Sequence, residues 1–95
     1  MKKFKEDIKK NIDIDSFIFF GSRAKGKFKR YSDFDILIVS HSFHGIPWYK
    51  RPTKFYLMWK EDYPLEVLCY TPEEFKRKSK KTGIASEAIK EGIYI

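Results

Sequence analysis

Ser16-Phe17-Ile18-Phe19-Phe20 runs into Gly21-Ser22, and after ten intervening residues the chain reads Asp33-Phe34-Asp35-Ile36-Leu37-Ile38-Val39. Both apolar runs are too short for helices and rich in aromatic and β-branched side chains, so each reads as a buried strand. Gly21 ends the first, and Asp35 is the one polar residue inside the second. Leu65–Tyr70 (Leu-Glu-Val-Leu-Cys-Tyr) reads as a third strand with a single acid, Glu66. Helical patterns surround these strands. Phe4, Ile8 and Ile12 recur at i, i+4 and i+8 among lysines, an apolar stripe on a basic helix from Lys2 to about Asn11. Pro47 to about Lys60 has helical spacing, with Pro52 a point of breakage or kinking. Thr71-Pro72-Glu73-Glu74 is a helix start: Thr71 caps, Pro72 fits the first position and Glu74 bonds back to the cap. A last helix from about Ile84 to Glu91 stops at Gly92, with Ile93–Ile95 as a short edge strand. The expected class is α/β (α+β), a small mixed β-sheet flanked by helices.

At 95 residues the chain has room for one core, so a single domain over 1–95 is expected and a multidomain enzyme or long repeat array is excluded. Lys and Arg number 20 and Asp and Glu 13, a net charge of +7, which points to anionic partners: nucleotide phosphates, nucleic acid or an acidic protein. Cys69 is the only cysteine and forms no intrachain disulfide. With no signal-type hydrophobic region, the expected location is cytoplasmic. The longest apolar runs, Phe17–Phe20 and Ile36–Val39, fall far short of the roughly 20 residues a membrane helix needs.

The acids in the strands carry the chemistry. Side chains alternate along a strand, so Asp33 and Asp35 project to one side. Two carboxylates on one face of an apolar strand raise each other's pKa and demand a cation, either a basic side chain or a divalent metal. Hard oxygen ligands suit Mg²⁺, which keeps waters and takes one or two carboxylates plus substrate phosphates. An Asp pair with a third acid from a neighbouring strand, Glu66, is a workable scaffold for two metals clamping an in-line displacement. D-x-D by itself is common and more often forms a surface salt bridge, but here Gly21-Ser22 stands upstream. Gly lets the backbone turn sharply and approach a ligand, and the turn's N–H groups make an anion-binding concavity. The combination G-S-x10-D-x-D arises by chance on the order of once per thousand chains of this length.

Phe19-Phe20-Gly21-Ser22-Arg23-Ala24-Lys25-Gly26 with Ser32-Asp33-Phe34-Asp35-Ile36-Leu37 resembles the signature of the minimal nucleotidyltransferases, small members of the polymerase-β-like nucleotidyltransferase superfamily. Leu65–Phe75 resembles the strand and helix start that bring the third carboxylate in that family, and Ala88–Gly92 its terminal helix. The resemblance implies that fold and the transfer of a nucleoside monophosphate from ATP or another NTP, with pyrophosphate leaving. It implies that Gly21 and Ser22 hold the nucleotide's phosphates; Arg23 and Lys25 are suited to neutralise the triphosphate, and equally to form a solvent-exposed basic turn. It further implies that Asp33, Asp35 and Glu66 are the catalytic, Mg²⁺-bearing carboxylates, with Glu66 the base for the incoming hydroxyl. One departure stands out: the third acid is often Asp in the family and is Glu here. Small members resemble antitoxins that pair with HEPN-domain toxins, some attaching AMP to a toxin tyrosine. The resemblance therefore implies a HEPN-domain partner, with no membrane and no nucleic acid as direct substrate. Two alternatives stay open: an idle member that neutralises its partner by binding, and a basic nucleic-acid-binding domain whose acids are structural.

Other signals weigh less. His41 and His44 form H-x2-H without nearby cysteine ligands, weak grounds for zinc. Cys69 packs as a small apolar residue. Glu73, Glu74 and Asp62 rival Glu66, but the first two sit where a helix cap needs them. Trp48, Tyr49, Phe55, Tyr56 and Trp59 could stack on bases; their helical spacing fits core packing better, with some left as an apolar surface for a partner.

Overall fold

The computed structural model describes residues 1–21, 23–24, 26, 33–80 and 83–95. The expected mixed sheet is present. Helix α1 (Lys2–Lys9) leads into β1 (Ser16–Phe20), then β2 (Phe34–Val39) and a 3-10 turn (His41–Phe43). After these come α2 (Thr53–Met58), β3 (Leu65–Tyr70), α3 (Pro72–Ser79), α4 (Ile84–Glu91) and β4 (Ile93–Tyr94). The sheet order is β3-β2-β1-β4, with β2 and β3 parallel and the other two pairings antiparallel.

Alternation along the strands divides the core in two. Phe17, Ile36, Ile38, Val67 and Cys69 face Phe4 and Ile8 of α1, Phe43 and Phe55. On the other face Ile18, Phe20, Leu37 and Val39 pack with Ala88 of α4, joined by Leu68, Tyr70 and Phe75. This second layer is thinner over β3: α3 has no fully buried residue, and Leu68 and Tyr70 are only half-buried. Gly92 is needed where α4 meets β1, because an added Cβ would collide with the Ala88 carbonyl and with Ile18.

The capping box forms as expected: Thr71 Oγ1 accepts from the Glu74 N–H at 3.2 Å and Glu74 Oε1 from the Thr71 N–H at 2.8 Å. The long helix expected from Pro47 to Lys60 does not. Only Thr53–Met58 is helical, and residues 48–52 form turns. Pro52 has no N–H for a preceding turn and disfavours helical backbone at the residue before it, so the helix starts after it. Losing that helix splits the aromatic run. Phe55 is 2% exposed in the core, whereas Trp48 at 75% and Tyr49 at 60% stand on the surface.

Candidate active site

Strand register assembles the acids. Phe20 of β1 pairs with Asp35 of β2, and Asp35 pairs in turn with Glu66 of β3. Paired residues on neighbouring strands project to the same face and lie about 4.8 Å apart. Asp35 and Glu66 are therefore neighbours, on the face that carries Leu37 and Leu68 one step further along. Asp35 is half-buried and Glu66 exposed. Among the described residues no hydrogen bond or ion pair engages the Glu66 carboxylate.

Gly21 comes directly after Phe20 in this row. Its φ of +85° favours glycine, and a Cβ there would collide with Asp35 Oδ2 and lie 3.1 Å from its Cγ. Backbone and carboxylate touch because no side chain intervenes. The sharp turn read from the sequence thus lies against the central acid.

The other expected site residues lie differently. Asp33 is exposed, just ahead of β2, whose first N–H (Phe34) donates to the Pro64 carbonyl at 2.8 Å. Ser22 and Lys25 lie outside the described residues. Arg23 holds its guanidinium 4.3 Å from the centroid of Phe34 and 4.5 Å from that of Tyr63. Such stacking is worth about 0.5–2 kcal/mol and fixes the turn to the start of β2. No group of three or more His, Cys, Asp or Glu side chains forms a metal-ligand cluster among the described residues. The fit to a divalent cation rests on the two adjoining hard-oxygen donors, Asp35 and Glu66, and on the close approach of the Gly21 backbone to Asp35.

The rival acids are committed elsewhere. Glu74 Oε1 meets Arg51 Nη1 at 2.6 Å, and this hydrogen-bonded cation holds the Glu74 pKa at about 2. Arg51 also donates to the Cys69 and Ile46 carbonyls, with its side chain only 7% exposed. This bracket beneath β3 has no local signal in the sequence. Glu73 Oε2 lies 2.8 Å from His44 Nε2. The His44 pKa is raised, first by its hydrogen bond to the His41 carbonyl and then by Glu73. His41 turns instead to Asp15, at 3.2 Å. Burial pushes the Cys69 thiol up to about 12, so it stays protonated and unreactive near neutral pH. No helix among the described residues is long and apolar enough to cross a membrane.

The fold is similar to those of solved structures. A crystal structure of a "putative nucleotidyltransferase" from Sulfolobus solfataricus superposes with a TM-score of 0.68 at 19% identity, covering 98% of this chain and 73% of that one. BolA1 from Arabidopsis thaliana gives a TM-score of 0.59 at 20% identity, covering 77% of this chain and 92% of that one. At such identities the likeness concerns the fold alone. No curated protein sequence matches the chain. The family profile described as "Nucleotidyltransferase domain" matches residues 1–95. A match of that extent, over the turn at Gly21 and the strands that bear Asp35 and Glu66, means that the chain belongs to the nucleotidyltransferase domain family.

Proposed function

We propose that the chain is a Mg²⁺-dependent minimal nucleotidyltransferase that moves AMP from ATP to a hydroxyl of a partner protein, a tyrosine of a HEPN-domain toxin, and so acts as its antitoxin. The observation that carries this is the register pairing Asp35 with Glu66, with the Gly21 backbone against Asp35. Asp33, Asp35 and Glu66 would hold Mg²⁺, whose charge offsets that of the triphosphate when bound. Gly21 and Ser22 hold the phosphates at the turn, and Arg23 adds positive charge beside them. The acceptor oxygen bonds to the α-phosphorus as the bond to the pyrophosphate oxygen breaks. Glu66, exposed at the mouth of the site, takes the hydroxyl proton. Chemistry of this kind is mainly positioning and charge neutralisation, which these residues are suited to supply.

A catalytically idle antitoxin is the second reading, in line with Glu66 standing where the family often has Asp. Incubating the chain with labelled ATP, Mg²⁺ and the product of the neighbouring gene separates the two. Label on that product, lost in Asp33→Ala, supports transfer. Neutralisation without label from any of the four NTPs, unchanged in Asp33→Ala, supports binding alone.

A further inference from the structure

The thin layer over β3 leaves a cleft of about 660 Å³ that the nucleotidyl-transfer residues do not fill. Its floor is β3 from Glu66 to Tyr70; Trp48, Tyr49 and Tyr56 form one wall, and Arg77 and Lys78 of α3 form the other. Two features describe its occupant. The outer edge of β3 is capped in place: Val67 N–H donates to Tyr56 Oη at 3.0 Å and the Cys69 carbonyl accepts from Arg51. The cleft therefore takes side chains rather than an added β-strand. Its charge is also polarised. The α3 acids Glu73 and Glu74 are consumed by His44 and Arg51, whereas Lys76, Arg77 and Lys80 have no ion pair among the described residues. Lys78 stands 5.4 Å from the ring of Tyr70, four residues along β3 from Glu66, a distance of about 13 Å. One end is thus cationic and the other ends at the candidate catalytic carboxylate. A polyanion with a phosphate at every step would meet Glu66; a polypeptide can be acidic at one end and neutral at the other.

We infer that this cleft docks an extended acidic segment of the acceptor protein. The segment's carboxylates lie at Arg77 and Lys78, an apolar side chain packs on Trp48 and Tyr49, and a hydroxyl-bearing residue reaches the Glu66 end. The role of that hydroxyl rests on the proposed transferase function; the docking itself does not. Exposed Trp, Tyr and Arg side chains are the types that dominate binding energy at protein interfaces.

The probe is fluorescein-labelled, Glu-rich poly(Glu,Tyr), read by fluorescence anisotropy on the full chain. Arg77→Glu/Lys78→Glu is expected to weaken binding at least ~10-fold, and Trp48→Ala about 5-fold. Lys2→Glu/Lys3→Glu on α1 makes the same change in net charge and is expected to stay within about 2-fold. Equal loss in the α1 variant overturns the proposal, as does no binding by the wild type. Tighter binding of poly(U), lost in the same cleft variants, overturns it in favour of nucleic acid. Should the charge reversals misfold by circular dichroism, Arg77→Gln/Lys78→Met gives the same comparison more gently. Asp35→Asn is expected to bind the copolymer as the wild type does. Copolymer binding by a chain that transfers no label from ATP to its partner protein leaves the docking intact and defeats the transferase reading; label transfer to the partner without copolymer binding defeats the docking alone.

Discussion

At the start of α3, Glu73 and Glu74 are each answered by a cation from a distant part of the chain, His44 and Arg51. At the open end of the sheet, Asp35 and Glu66 stand side by side, and no described residue answers Glu66. The two pairs are equally acidic in sequence and differ in what surrounds them. Where the chain supplies its own cation, a carboxylate is structural and its pKa falls, as for Glu74. Where it juxtaposes acids and leaves one exposed, as at Asp35 and Glu66, a bound cation would relieve their repulsion. That is the physical distinction between a cap and a candidate active site.

Exchanging roles one residue at a time would break or sharpen this contrast. The largest effect is expected for Asp35→Asn, a loss of transfer on the order of a thousand-fold, measured with labelled ATP and the partner. A drop in thermal stability large enough to unfold the chain at the assay temperature would instead make Asp35 a structural acid. Gly21→Ala comes next: the Cβ collision with Asp35 and the positive φ should cost about 1–3 kcal/mol in urea unfolding and displace the carboxylate. For Arg51→Ala, which strands Glu74, a loss of about 2 kcal/mol is expected, less than for a fully buried pair because Glu74 is partly exposed.

The pH dependence then separates the capped acids. Glu74 has a depressed folded pKa, so its contribution is present above the ordinary 4.5 and disappears as pH falls toward about 2. Acid unfolding of the wild type across that window should be steeper than that of Glu74→Gln. The smallest effect concerns His44, whose raised pKa gives a contribution present below 6.5 and lost as pH rises through its folded value. An NMR titration should place its midpoint above 6.5, and Glu73→Gln should bring it only part of the way back, because the His41 carbonyl is the larger cause.

Local chemistry is what the residues disclosed unaided. The three main strands, the Thr71 cap with Pro72 and Glu74, the stop at Gly92 and the G-S-x10-D-x-D spacing depend on steric and hydrogen-bonding rules that act within a few residues. The expected helix over 47–60 failed for a related reason. Apolar spacing cannot tell a core face from a surface one, and Pro52 weighed against the pattern more heavily than its periodicity suggested. Adjacency was beyond local reading. That Asp35 lies beside Glu66 depends on the register of two parallel strands joined by a long crossover, and a slip of one residue would turn Glu66 to the opposite face. Likewise, nothing near Arg51 in the chain announces Glu74 or the Cys69 carbonyl, and nothing near Trp48 announces an open cleft along β3. Residue types and their spacing determined which groups could act; only tertiary packing decided which charges meet, because attraction and desolvation depend on distances through space that the order of residues does not contain.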